Sequence, residues 1–262
     1  MSEWHKIVEI YKRAEKTVKI GIVGKYLGLH DSYKSIFEAL VHGGIANGIK
    51  VQLEKIDSEA LTEIDNHAEL FKDVHGILIP GGFGERGLEG KILAAHYARI
   101  NKLPCFGICL GLQVMVIEYA RFILGLEKAN STEVSRDVEY PVISLLEEQI
   151  DIKAFGGTMR LGKSQTKLQR NSKIWHIYKN DIISERHRHR YEVSNMYRKS
   201  LADAGLIISG VTLDEALVEA IEWPDHPWGI GVQYHPEFKS RPVLPNPLFK
   251  SFIAAVLEYA KI

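Results

Sequence analysis

Leu103-Pro104-Cys105-Phe106-Gly107-Ile108-Cys109-Leu110-Gly111-Leu112-Gln113-Val114 is the stretch that decides how this chain folds. An apolar, strand-like run through Ile108 leads into the pentapeptide Gly107-Ile108-Cys109-Leu110-Gly111, and a helix-like run from Leu112 to Ala120 leads out. Gly-x-Cys-x-Gly between a strand and a helix is the layout of a nucleophile elbow, a sharp turn that lifts one reactive side chain above a sheet. Glycines flank it because a strained turn leaves no room for nearby Cβ atoms. The following helix aims its N-terminus at the sulfur, which favours the thiolate. Covalent catalysis by cysteine is the reaction type that this turn implies.

Outward from the elbow, strands and helices alternate. Residues 18–24 form an apolar strand ending in a Gly turn, 50–56 alternates as a second strand, and 74–79 is a third. Asp31 or Ser32 is expected to cap a helix over 33–47, and 88–101 reads as another helix. This alternation, kept up to about residue 122, predicts a parallel sheet covered on both faces. Beyond residue 125 the texture changes. Short alternating pieces at 152–155, 159–161 and 167–169 are expected as antiparallel ribbons grafted on one side, 206–210, 218–223 and 229–235 as strands, and 247–261 as a closing helix. Residues 1–17, with Trp4, Ile7, Val8, Ile10 and Tyr11 on one helical face, read as a lead-in to a single α/β domain over 18–262.

Composition narrows the function. Among 262 residues Lys+Arg and Asp+Glu are both 33, so nothing global points to nucleic acid or an anionic membrane as partner. No apolar run reaches the roughly 18–20 residues of a membrane helix. The first residues lack the apolar core of a signal peptide. The two cysteines, Cys105 and Cys109, lie on or beside one strand, poorly placed for a disulfide, so a cytoplasmic location is expected.

A cysteine nucleophile needs a base, and the base an orienter. Gly231-Val232-Gln233-Tyr234-His235-Pro236-Glu237-Phe238 offers both: His235 at the end of an apolar strand, and Glu237 two residues on, on the same side of an extended segment. Taken singly, Cys109 reads equally as a small buried hydrophobe and His235 as a structural histidine; the pairing makes a site. The oxyanion needs donors. Leu110 N–H is one candidate, and the loop Gly81-Gly82-Phe83-Gly84 supplies the other.

Three segments point elsewhere. Gly82-Phe83-Gly84-Glu85-Arg86-Gly87 matches the dinucleotide fingerprint, but the next strand ends in Gly107-Ile108-Cys109 without the acid that would hold a ribose. Gly157-Thr158-Met159-Arg160-Leu161-Gly162-Lys163-Ser164 matches a P-loop, but residues 165–170 are polar and alternating, not a helix face. Glu185-Arg186-His187-Arg188-His189-Arg190-Tyr191-Glu192 is basic; zero net charge argues against nucleic acid, the crowded arginines against a metal on His187 and His189. Its arginines are expected to meet carboxylates of a substrate or a neighbouring domain, or else to form a solvated face.

The elbow, His-Pro-Glu, Ile79-Pro80-Gly81-Gly82-Phe83-Gly84-Glu85-Arg86-Gly87, Asn130-Ser131-Thr132-Glu133, residues 156–162 and the basic run together resemble class I (triad-type) glutamine amidotransferases, and more narrowly the glutaminase domains of CTP synthases. The resemblance covers about 18–262 and implies a flavodoxin-like fold with a mostly parallel central sheet, helices on both faces and a small antiparallel side ribbon. It implies Cys109 as nucleophile, His235 as base and Glu237 as orienter. It places Gly82 and Leu110 at the oxyanion, and Gln113, Glu133 and Arg190 on the substrate L-glutamine. It implies no metal and no cofactor in this chain, with ATP, UTP and Mg on a synthase domain or subunit that receives the ammonia. Met1 stands where the linker from that domain would begin, so an excised domain, a split subunit or a stand-alone paralogue is expected. The rival readings are a glutaminase for another synthase, a γ-glutamyl hydrolase, and a catalytically idle interaction or regulatory module.

Overall fold

Buried strands need unbroken apolar runs, and this chain's runs stack side by side. In a computed structural model that describes residues 2–25, 33–64, 66–145 and 159–262, nine strands form one sheet. Its order is β2 (Lys50–Asp57), β1 (Thr17–Gly24), β3 (Gly76–Ile79), β4 (Cys105–Ile108), β12 (Gly229–Val232), β11 (Val218–Glu222), β10 (Ile207–Thr212), β7 (Arg160–Leu168) and β8 (Ile182–His189). From β2 to β12 every pairing is parallel; from β12 to β8 every pairing is antiparallel. A second sheet of three short strands joins β5 (Ala129–Ser131), β6 (Tyr140–Leu145) and β9 (Tyr191–Val193).

Period-two alternation sorts the parallel strands onto two faces. Leu78, Phe106, Ile108, Ile230 and Val232 meet α2 (Lys34–Ala46) and α8 (Pro247–Ala260) on one side. Phe106 is the hub there, with its ring 5.2–5.7 Å from Trp228, Phe249 and Phe252. Ile77, Ile79 and Cys105 meet α4 (Leu88–Ile100) and α5 (Leu110–Phe122) on the other. Every residue of α5 from Leu110 to Ala120 is buried, because the second sheet covers the side that the main sheet does not. Asn246 caps α8 by accepting from Leu248 N–H at 3.0 Å, with Pro247 at the first helical position.

The parallel core lies where the apolar runs put it. The antiparallel half differs from expectation in one respect. Residues 159–161 and 167–169 are not separate pieces; they sit at the two ends of the single strand β7, which pairs with β8 and β10 and prolongs the main sheet. The independent small sheet is built instead from 129–131, 140–145 and 191–193. The expected ribbon at 152–155 and the expected caps Asp31 and Ser32 lie outside the described residues. The lead-in forms α1 (Ser2–Arg13), and its Trp4, Val8, Ile10 and Tyr11 stay exposed.

Candidate active site

β3, β4 and β12 are adjacent and parallel, with Ile79 opposite Gly107 and Val232 opposite Ile108. The segments that leave their C-terminal ends therefore share one rim of the sheet, the rim where ligands of such sheets bind. The 80–84 loop leaves β3 there, Cys109 leaves β4, and the 233–237 segment leaves β12.

Cys109 has φ 56° and ψ −105°, a backbone state that non-glycine residues adopt only under constraint. The constraint is visible. Its N–H donates to Val232 O at 2.7 Å. A Cβ on Gly107 would sit 2.6 Å from the Gly111 backbone, and one on Gly111 would sit 2.1 Å from Ile79 O. Both glycines are thus required by close approach. The sulfur lies 3.9 Å from Arg188 O and 3.8 Å from Gln233 Nε2, at the N-terminus of α5. Cys105, by contrast, is sealed in the core, and burial pushes its thiol far up.

His235 N–H donates to Arg186 O at 2.8 Å, which ties the base to β8. Its Nδ1 is 2.7 Å from Glu237 Oε1, and that carboxylate is buried. The carboxylate arrives by another route than expected: residues Pro236–Lys239 form a 3-10 turn, not an extended segment, and the turn folds Glu237 back beneath the ring. Burial by itself would depress the imidazole; the Cys109 sulfur and Glu237 outweigh it and raise His235 to about 10. Nε2 has no partner at full hydrogen-bond geometry, yet Cys109 leads the groups that hold its proton.

Above the elbow the glycine loop closes down. A Cβ on Gly81 would stand 3.1 Å from His235 Cε1 and 3.4 Å from Cys109 Cβ. Lys25 Nζ donates to Phe83 O, and Gly84 N–H donates to Glu133 Oε1 at 2.7 Å, so both ends of the loop's turn are pinned. Among the described residues, no hydrogen bond engages the N–H of Gly82 or Leu110; both are available as oxyanion donors.

Two spaces meet at the thiol. A cleft of about 560 Å³ is lined by Tyr33, Gly82, Cys109, Arg188, His235 and Glu237, among others. A narrow niche behind it is lined by Gly82, Leu110, Gln113, Glu133, Arg190 and Tyr191. The structure thus brings together all eight residues named from sequence. Gln113 is partly occupied: its Nε2 donates to Tyr191 O at 2.9 Å and to Gln233 Oε1 at 3.2 Å, which leaves its oxygen for a ligand.

The basic run resolves by strand alternation. In β8 Glu185, His187 and His189 point inward, while Arg186, Arg188 and Arg190 at its end are exposed. His187 Nδ1 is 2.9 Å from His189 Nε2, and their outer nitrogens lie 3.2 Å from Glu219 and 3.4 Å from Glu192. Arg160 joins both carboxylates at 3.0 Å (Glu192) and 2.7 Å (Glu219). Among the described residues, none of Arg186, Arg188 and Arg190 makes an ion pair. The described residues hold no cluster of three His, Cys, Asp or Glu suited to a metal. Residues 157 and 158 of the P-loop match lie outside the described residues, and the rest is strand β7. In the other match, Gly84 and Gly87 take φ of 78° and 72° in the loop that ends at α4.

Two residues escaped the sequence reading. Gln233 faces inward between the triad's strand and the thiol. Lys91 is buried beneath Gly82. The signal for Lys91 was a charge placed on the apolar stripe of a helix, between Leu88 and Ala95.

The model of the class-I glutamine amidotransferase family matches residues 28–255. The chain is 54% identical over 260 residues to a CTP synthase of Clostridium beijerinckii, covering 99% of this chain and 48% of that one. It is 50% identical over 261 residues to a CTP synthase of Aquifex aeolicus, again covering 48% of the latter; the chain spans about half the length of these curated relatives. The glutaminase domain of Trypanosoma brucei CTPS, solved with bound acivicin, superposes with a TM-score of 0.85 at 40% identity, covering 92% of this chain and 94% of that one. With an elbow cysteine, a carboxylate-held histidine and a glycine loop on one sheet rim, and with relatives of this likeness, the chain belongs to the class-I glutamine amidotransferases.

Proposed function

We propose that this chain hydrolyses L-glutamine to glutamate and ammonia, and that the ammonia serves the ATP-dependent amination of UTP by a CTP synthase-type synthase domain. The observation that supports it best is the thiol–imidazole–carboxylate line under a glycine loop with unengaged N–H groups.

The Cys109 thiolate attacks the side-chain amide carbon. The carbonyl oxygen takes the negative charge between the N–H groups of Gly82 and Leu110. His235, already protonated, gives its proton to the amide nitrogen, and ammonia leaves. The γ-glutamyl thioester remains on Cys109. His235, now neutral and still held by Glu237, takes a proton from water as the water attacks the thioester carbon. Glutamate departs and the thiolate re-forms. In the niche, Arg190 suits the α-carboxylate, and Glu133 with the Gln113 oxygen suits the α-ammonium. The chemistry asks nothing of a cofactor.

The test is glutamate release by the purified chain, alone and with a synthase partner, together with intact mass after acivicin treatment. A single adduct on Cys109 and turnover, both absent in Cys109→Ala, are expected. An adduct on another residue, or turnover surviving in Cys109→Ala, would sink the reading. A third outcome, neither adduct nor turnover with the partner present, would favour the idle interaction module.

A further inference from the structure

Lys91 is a buried charge that the mechanism above does not use. It lies in the first turn of α4, 1% exposed, and its Nζ finds no hydrogen-bond partner. An ammonium carries three donors and strong hydration, so burying one without an acceptor is costly. A methionine would fill the same space without that cost. The position of the charge is what matters. A Cβ placed on Gly82 would lie 3.5 Å from Lys91 Nζ. The cation therefore lies against Gly82, the residue whose N–H is proposed to meet the developing oxyanion.

We infer that Lys91 is a positioning residue of the glutaminase site, whose buried ammonium acts from behind the Gly82 loop to favour negative charge at the oxyanion. The inference rests on the proposed function. Its logic is differential. In the proposed cycle the negative charge starts on the Cys109 sulfur that attacks. In the tetrahedral intermediate it moves to an oxygen beside Gly82, on the side of the loop that Lys91 backs. A fixed cation there favours the intermediate over the ground state, which is the condition for accelerating the step. The low-dielectric surroundings keep the interaction strong.

The neighbouring charges agree with this placement. Lys25 from the end of β1 repels the ammonium, while Cys109 at the head of α5 and Glu133 beyond β5 attract it. Burial and Lys25 together lower Lys91 to about 8, so it still carries its proton at neutral pH. Lys25 does a different job: it holds the loop in place by donating to Phe83 O.

The experiment uses the full chain with Lys91→Met, read in three ways: steady-state glutamine hydrolysis, thermal unfolding, and the pH dependence of Cys109 alkylation by iodoacetamide. The expected result is a fall in kcat of about 30-fold, below the loss for a direct oxyanion donor. KM should stay within about threefold, and Tm should be unchanged or higher. The pH of half-maximal alkylation should move upward. A kcat within about threefold of the parent chain would overturn the inference whatever the alkylation profile does, and so would a fall in activity that merely tracks a lower Tm. Should Lys91→Met fail to fold, Lys91→Gln gives the same readouts, and failure of both would assign the lysine a structural role and end the idea. Alkylation needs no glutamine. A parent chain that alkylates but never turns over glutamine would overturn the proposed function and this inference with it; a parent chain that turns over, matched by Lys91→Met, would overturn this inference alone.

Discussion

The two halves of the main sheet do different work with different residues. The parallel half, β2-β1-β3-β4-β12, has fully buried inner strands in β3, β4 and β12 and supplies backbone: the elbow, the glycine loop and the turn that carries His235. The antiparallel half buries charge. Glu192, Glu219, His187 and His189 are each at most 3% exposed, and among the described residues Arg160 is the cation that pairs with both carboxylates. That half supplies side chains and carbonyls to the site: Arg186 O to His235, Arg188 O to the thiol, Arg190 to the niche. The first half fixes where the reacting atoms are. The second closes the far wall around them.

The sharpest way to break the comparison is to disturb spacing in the first half. Gly111→Ala would place a methyl 2.1 Å from Ile79 O, with backbone on both sides and nothing able to give. We expect a loss of about 4 kcal/mol, or no folded protein at all. Denaturant unfolding checks it. A loss under about 1 kcal/mol would show that β3 and α5 are free to separate.

Next in size is a change in the second half. Arg160→Met leaves two buried carboxylates without their cation, and removing one partner of such a network costs about 3 kcal/mol. The stability change should come with a smaller effect on the rate of Cys109 alkylation than Lys91→Met produces, because no residue of the network touches the sulfur. Replacement that leaves unfolding unchanged would mean that Glu192 and Glu219 take up protons and tolerate the loss. Burial pushes both upward, Glu192 to about 8, so that escape is open at low pH and the cost should be measured at pH 8 or above.

The same contrast explains what the sequence discloses. In the first half β1, β3, β4 and β12 are short apolar runs and β2 alternates, and such local patterns read the same whether or not their neighbours are known. Gly-x-Cys-x-Gly and His-Pro-Glu stand at the ends of such runs, so the triad is legible as well. In the second half, Arg160-Leu161-Gly162-Lys163-Ser164-Gln165-Thr166-Lys167-Leu168 is polar along most of its length. Its strand character comes from pairing with β8 and β10, which no local pattern announces. The run from Glu185 to His189 reads as a charged patch until alternation is applied to it; then the histidines fall inside and the arginines outside. Lys91 and Gln233 are invisible for a related reason: their roles depend on Gly82 and Cys109, which are near in space and distant in sequence.

The smallest expected effect concerns the two buried histidines. His187 is held down to about 2 and His189 to about 3, by burial first and then by Arg160. In the unfolded chain each titrates near 6.5. Between those values the unfolded chain binds the extra protons, so stability is full above about pH 6.5 and is lost as pH falls. Glu192, raised by burial, acts oppositely: it gives stability at low pH that is lost as pH rises toward about 8. Glu219 and Glu185 are raised by burial in the same way and His226 is lowered like the other two histidines, so the slope of the whole chain sums opposing groups. The share of His187 and His189 is up to two protons, about 2.7 kcal/mol per pH unit between pH 6.5 and about 4.5. That share is read as a difference between two chains, both carrying Cys109→Ala so that the triad cysteine does not contribute: the chain with both histidines should lose stability more steeply below pH 6.5. The double variant His187→Gln, His189→Gln should weaken less over the same range, although it starts from a lower stability. Parallel pH profiles for the two chains would mean that the histidines are charged inside the fold and that Arg160 does not keep them neutral.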